Sequence, residues 1–296
     1  MGEAIEIRRV TKRYGNVRAV DELDLVVSAG ETFGFLGPNG SGKTTTIRML
    51  LGLARPSSGE VRVLGKNPAS ASPALRRRIG YLPGELGFYD EMSGQGFLDF
   101  LGGLTGVDTA YRSSLLDRLE LSDADLRRKV GHYSKGMRQK VAIVQAFQHR
   151  PELLVMDEPT SGLDPLVQMA FFDILKDSRQ SGQTVFFSSH ILSEVERLCD
   201  RIGLVRAGRL VRETSVVDLH GSAERRVVIT FRDEVPDRFA SMPGVVSSSR
   251  EGETLSLRVT GDMRPLLSAI AGANIADLVV EPVSLEDVFA SLYRES

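Results

Sequence analysis

Residues 37–44 read Gly37-Pro38-Asn39-Gly40-Ser41-Gly42-Lys43-Thr44, which is G-x-x-x-x-G-K-[ST]. No other stretch restricts the chain so strongly. The glycines let the backbone curl tightly, so that amide N–H groups point inward and make a concave anion site. Lys43 brings a point charge for β- and γ-phosphates, and the Thr44 hydroxyl is a ligand for Mg²⁺. A helix starting at this loop adds the positive end of its dipole. Thr32–Leu36 reads as a short apolar strand before the loop. Thr45 to Leu51 reads as a helix after it, stopped by Gly52 and Pro56. Strand, glycine loop and helix is the context this motif requires. The expected ligand is a nucleoside triphosphate with magnesium, held by residues 37–45.

The bulk composition narrows the surroundings of that site. A chain of 296 residues with 42% hydrophobic and 26% charged side chains has the make-up of an ordinary globular protein. It is long enough to bury a large core without staples. The net charge of −2 gives no basic excess for sequence-independent binding of nucleic acid, so no nucleic-acid partner is expected. Cys199 is the single cysteine, which excludes an internal disulfide and fits a reducing compartment. Met1 to Val10 carries Glu3, Glu6, Arg8 and Arg9, unlike the apolar stretch of a signal peptide. No run of eighteen apolar residues suggests a membrane span.

Patterning along the chain predicts an α/β architecture. Ile5–Val10, Ala19–Val27, Glu60–Leu64 and Ile79–Pro83 read as strands, and Ser72-Pro73 to Arg78 as a helix with proline in its first turn. Residues 88–150 read as mainly helical, with Gly94, Gly102-Gly103 and Gly131 as breaks. Leu153–Met156 and Thr184–Ser188 are apolar strands of the kind buried on both faces of a parallel sheet, with a helix over Val167–Ser178 between them. After residue 218 the pattern changes. Arg225–Phe231, a short helix at Pro236–Met242, Val245–Arg250, Thr254–Val259, a helix at Met263–Ala271 and Ile275–Glu281 follow the β-α-β-β-α-β order of a ferredoxin-like α+β domain, with a terminal helix at Leu285–Tyr293. The expected domains are 1–218, with its helical part at 88–150, and 219–296.

Two further segments point to chemistry. Leu153–Met156 ends in Asp157-Glu158. Alone, these are two solvated acids at a strand end. Downstream of a phosphate loop, Asp157 is expected to approach the Mg²⁺ held by Thr44. Glu158 would then face the attacking water and act as a general base. Tyr133-Ser134-Lys135-Gly136-Met137-Arg138-Gln139 places Ser134 and Gly136 at a helix start, where hydroxyl, amide and dipole grip a phosphate.

That last segment resembles the Leu-Ser-Gly-Gly-Gln signature of ATP-binding cassette (ABC) ATPases, in the form found in subunits serving separately encoded exporter permeases. The order P-loop, signature, Asp-Glu strand is also that of the family. Four more pieces match in order: Tyr14 with the aromatic that stacks on adenine, Ile79–Tyr89 with the loop facing the permease, Ser161-Gly162-Leu163-Asp164 with the loop contacting the partner subunit, and His190 with the histidine that binds the γ-phosphate. The resemblance implies a P-loop NTPase core with a parallel sheet, an antiparallel β edge and a helical subdomain. It implies ATP and Mg²⁺ as cofactors. Lys43, Glu158 and His190 are the implied catalytic residues, and Tyr14, residues 37–45, Ser134, Lys135, Gly136 and Asp164 the implied nucleotide contacts. The implied partners are a second copy of the ATP-binding subunit, as a homodimer, and a separate transmembrane permease, at the cytoplasmic face of a membrane.

The sequence departs from the family at Gly84, where a glutamine is usual; Glu85 or a water is expected to take its place at the metal. Lys135 and Met137 replace a glycine and a glutamine of the signature. Other classes share such a cassette. Translation factors usually carry two P-loops, and this chain has one. Repair ATPases insert long coiled coils, and none is seen. A ligand-sensing ATPase with a binding C-terminal domain stays open on sequence alone.

Overall fold

Glycine turns cut the chain into short apolar runs, and the runs become strands. The computed structural model describes residues 2–70, 72–84, 87–106, 111–221 and 225–282. It divides into two compact units, Met1–Thr214 and Ser215–Ser296.

In the first unit, β1 (Glu3–Tyr14) and β2 (Val17–Ser28) form a long antiparallel hairpin. Strand β3 (Thr32–Leu36) leads into the P-loop and helix α1 (Lys43–Leu50). Then come β4 (Ser58–Val63), α2 (Pro73–Arg76) and β5 (Ile79–Leu82). The helical stretch holds α3 (Gly94–Thr105), α4 (Tyr111–Arg118), α5 (Asp123–Arg127) and α6 (Lys135–Phe147). After it come β6 (Leu153–Asp157), α7 (Pro165–Gln180), β7 (Thr184–Ser189), α8 (Leu192–Leu198), β8 (Arg201–Arg206) and β9 (Arg209–Ser215).

Two sheets result. The first has the order β2-β1-β4 and is antiparallel. The second has the order β5-β6-β7-β3-β8-β9, and its neighbours from β5 through β8 run parallel. Strands β3, β6 and β7 are buried along their whole length, as parallel strands covered on both faces must be. Their carboxyl ends share one edge: Leu36 lies opposite Ser189, and Asp157 opposite Ser188. Loops leaving that edge converge, which is where open α/β sheets bind ligands.

The core is aromatic around Phe186. Its ring stacks on Phe33 at 5.9 Å between centroids and tilts against Phe35 at 5.4 Å. Gly34 sits between them because a Cβ there would lie 2.6 Å from Val195 Cγ1 and 2.7 Å from Cys199 Sγ.

Some expectations need correction. Gly102-Gly103 do not break the helical region; both lie inside α3. Gly94 opens α3 behind a Ser93 N-cap, whose hydroxyl accepts from the Gly96 N–H, and a Cβ at Gly94 would strike Tyr133 Oη at 2.2 Å. The elements α8, β8 and β9 were not expected from the pattern. Strand β8 is an apolar run interrupted by Gly203, whose bare Cα makes room for the Phe33 ring at 2.9 Å from the Cβ position.

The second unit contains α9 (Val216–Gly221), β10 (Arg225–Phe231), β11 (Val245–Glu251), β12 (Thr254–Val259), α10 (Arg264–Ala271) and β13 (Ile275–Pro282). Its antiparallel sheet has the order β11-β12-β10-β13. The expected helix at Pro236–Met242 is a tighter 3₁₀ turn at Asp237–Ser241, led by Pro236. The sheet buries Val227, Ile229, Phe231, Leu255 and Leu257 against Phe239, Leu266 and Ile270. The expected helix at Leu285–Tyr293 lies outside the described residues.

Removing the Phe186 ring leaves a void at the centre of the parallel sheet. Phe186→Ala is expected to lower stability by about 3–5 kcal/mol in urea unfolding. A loss below about 1 kcal/mol would contradict this packing.

Candidate functional site

The P-loop is pinned from behind by backbone. Gly208 N–H donates to Ser41 O at 3.0 Å, and Asp21 N–H donates to Gly208 O at 2.9 Å. Gly42 has a φ of 103° and caps α1, and a Cβ there would meet Ala19 O at 2.4 Å. A Cβ at Gly37 would meet Val205 O at 2.3 Å. Both positions therefore exclude side chains, and Gly42 also needs the left-handed backbone. Pro38, Asn39 and Gly40 are exposed at the loop tip, and Thr45 is half-buried on the first turn of α1.

Lys43 is buried. Its Nζ donates to Gly37 O at 2.7 Å and Pro38 O at 3.2 Å, and lies 3.8 Å from Glu158 Oε1. Burial holds its pKa below the usual lysine value, and the nearby Glu158 and Asp157 charges oppose that shift. The Thr44 hydroxyl donates to Asp157 Oδ2 at 2.7 Å. Asp157 is buried at the end of β6.

Glu158 follows with a φ of 48°, a left-handed conformation that costs energy in a residue with a side chain. Its carboxylate is half-buried, with Oε1 at 3.2 Å from His190 Nδ1. His190 sits in the turn between β7 and α8. The Ser189 hydroxyl shapes that turn, accepting from Ile191 N–H at 2.9 Å and donating to Glu194 Oε2 at 3.0 Å. Five of the expected residues thus meet at one sheet edge: Lys43, Thr44, Asp157, Glu158 and His190. Gly84 joins them, since a Cβ there would lie 3.2 Å from Asp157 O. Glu85 lies outside the described residues.

The signature residues form a second group. Ser134 caps α6, accepting from Met137 N–H at 3.2 Å. Lys135 Nζ reaches Ser161 Oγ at 3.4 Å, and its stem lies over Gly162, 2.8 Å from where a Cβ would stand. Gly136 faces Gly162 O. Asp164 caps α7, accepting from Leu166 N–H at 3.1 Å and Val167 N–H at 3.0 Å. These contacts run to the 161–164 loop rather than to the P-loop. Tyr14 is exposed near the end of the β1–β2 hairpin, with Lys12 Nζ 4.8 Å from its ring centroid.

Two buried residues escaped the sequence reading. Gln139 donates to Pro159 O at 2.7 Å, which ties α6 to the segment after Glu158. Ser188 is fully buried and bonds both Asp157 and Glu158. Its place opposite Asp157 comes from strand register, which the sequence does not show.

The chain matches the family described as ABC transporter over residues 20–161. It is 36% identical over 297 residues to the Nod factor export ATP-binding protein I of Cupriavidus metallidurans, spanning 99% of this chain and 98% of that relative. The chain belongs to the ABC transporter family. It is also 38% identical over 217 residues to the bacitracin transport ATP-binding protein BcrA of Bacillus licheniformis, spanning 72% of this chain and 70% of that one. A solved ATP-binding subunit of an ABC transporter superposes with a TM-score of 0.69 at 31% identity, over 74% of this chain and 92% of that one. As a member of this family the chain is an ATP-binding subunit and an ATPase, which agrees with the phosphate loop and paired acids described above.

Gly42→Ala forces a Cβ into the Ala19 carbonyl and a strained φ on the loop. ATP affinity, measured by equilibrium binding, is expected to fall about tenfold or more. Wild-type affinity in this variant would mean that the loop geometry described here is wrong.

Proposed function

We propose that this chain powers export of a substrate across a membrane through a separate permease, by pairing with a second copy around two ATP. The observation that carries the reading is the meeting of Lys43, Thr44, Asp157, Glu158 and His190 at one edge of the parallel sheet. The export and transport names of the relatives support its direction.

The proposed roles follow from the geometry. Backbone amides of residues 37–45 and the Lys43 ammonium hold the phosphates. The Ser41 hydroxyl is buried without a hydrogen-bond partner among the described residues, and a phosphate oxygen would supply one. Glu158 takes the proton of the attacking water at its carboxylate, and His190 steadies that carboxylate and the γ-phosphate. Tyr14 offers its ring to the base. Ser134, Lys135 and Gly136, with Asp164 shaping the neighbouring loop, close the nucleotide site of the second copy.

Magnesium fits this donor set. The Thr44 hydroxyl and Asp157 carboxylate are hard oxygen ligands, and no cluster of three or more His, Cys, Asp or Glu exists among the described residues. One or two protein oxygens plus phosphates is how Mg²⁺ is usually bound. When bound it would neutralise developing charge on the phosphate oxygens.

The described helices include none long and apolar enough to cross a membrane. The permease is therefore proposed as a separate chain, which would hold this subunit peripherally at the cytoplasmic face. Its docking surface is proposed at Tyr89, Phe100 and Leu104, which are 61%, 46% and 62% exposed, with Tyr89 and Phe100 in edge-on contact. We read Ser215–Ser296 as a ferredoxin-like module. The order β11-β12-β10-β13, in which the β10–β11 connection and the β12–β13 connection through α10 each pass one strand, supports that reading.

Glu158→Gln keeps the shape of the site and removes the base. With ATP and Mg²⁺ it is expected to elute as a dimer in gel filtration and to turn over at least about a hundredfold more slowly. Wild-type turnover in this variant would remove Glu158 from the base role. Isolation of the chain from solubilised membranes is expected to bring a polytopic protein that stimulates its ATPase activity. ATPase activity stimulated instead by ribosomes or nucleic acid, with no membrane partner, would overturn the export reading.

A further inference from the structure

We propose that Ser188 is a positioning residue for ATP hydrolysis, acting through Asp157 and Glu158. The inference rests on the ATPase reading above and deepens it.

The Ser188 hydroxyl has one proton and two lone pairs. Its Oγ forms a short contact with Asp157 Oδ1, and it accepts from Glu158 N–H at 3.3 Å. An ionised Asp157 has no proton to give, so the Ser188 proton goes to Oδ1 and a lone pair faces Glu158 N–H. The same N–H also donates to Ser188 O at 3.1 Å. A single buried residue thus holds both acids. Pairing of β6 with β7 sets this up, because Asp157 and Ser188 are register partners.

Asp157 has a donor on each oxygen: Thr44 on Oδ2 and Ser188 on Oδ1. Thr44 belongs to the moving part of the chemistry, since its oxygen is proposed to turn to the metal. Ser188 is fully buried and touches no expected ligand, so it can fix the carboxylate plane before and after nucleotide arrives. A donor behind a metal-binding carboxylate sets its orientation and affinity. The second bond matters because Glu158 sits at a positive φ of 48°. Such a conformation persists only where neighbours over-determine it. Loss of the Ser188 hydroxyl frees Asp157 to rotate and weakens the anchor of the Glu158 peptide.

The test compares binding of a fluorescent ATP analogue in EDTA and in graded Mg²⁺, with Mn²⁺ binding to the ATP complex read by electron paramagnetic resonance. Ser188→Ala is expected to keep affinity in EDTA within about twofold, while half-saturating Mg²⁺ or Mn²⁺ rises about 10- to 100-fold. Ser188→Thr keeps the hydroxyl, and Ser188→Val is its apolar isostere, so overpacking is common to both. Threonine is expected to resemble the wild type in metal dependence and valine to resemble alanine. In an Asp157→Asn background, Ser188→Ala is expected to add little further loss of metal affinity. An unchanged metal dependence in Ser188→Ala, or equal behaviour of threonine and valine, overturns the proposal. A wild-type protein whose nucleotide binding ignores Mg²⁺ would instead sink the ATPase geometry on which the proposal stands.

Discussion

Asp157 is the joint of the nucleotide site. Thr44 reaches it from the P-loop and Ser188 from the neighbouring strand. Asp157 ends β6, Ser188 lies on β7 and Thr44 stands on α1 behind the loop that leaves β3, so the bonds to one carboxylate tie the ends of three parallel strands together. A buried carboxylate without partners would cost several kcal/mol, roughly the stability of a whole small domain. The site is therefore not an ornament on a finished fold. Beside it Glu158 Oε1 lies 3.8 Å from Lys43 Nζ and 3.2 Å from His190 Nδ1, so the charged groups of the site gather around the same strand end.

The parallel sheet and its site were largely legible because each strand carries its own punctuation. Thr32–Leu36 is followed by glycines, Leu153–Met156 by two acids and Thr184–Ser188 by a serine and a histidine. Helical breaks were less legible. Gly102-Gly103 look like a stop, yet the flanking Leu98 is buried and packing keeps α3 continuous through them. Ser188 was illegible for a different reason. Its importance lies in a register match across parallel strands, and register between strands far apart in sequence leaves no local mark.

Two of the departures from the family pattern, Gly84 and Lys135, have visible surroundings. At Gly84 a Cβ would stand 3.2 Å from the Asp157 carbonyl, so any side chain there presses on the acid strand. Glycine lets the loop lie close. In the signature, a glycine gives way to Lys135, whose stem covers Gly162 and whose ammonium reaches Ser161. Glycine at 162 is required under that stem, and its φ of 83° requires it again. The substitution therefore links the signature to the 161–164 loop within one subunit, a contact that a glycine has no atoms to make.

That link bears on how ATP energy becomes movement. An ATP that binds open and closed pairs equally shifts nothing, however tightly it binds. Driving a closed pair from about 1% to about 99% takes a difference near 5.5 kcal/mol between the two states. The P-loop contacts lie within one subunit and exist in both states, so they supply little of that difference. The contacts that exist only on closure must supply the rest, and under the proposed arrangement these are the signature and the 161–164 loop. Because Lys135 joins those two elements, they meet the partner as one piece. In that arrangement, ordering one of them helps to order the other, which reduces the entropy lost on closure and leaves more of the ATP contact energy to act on the proposed permease.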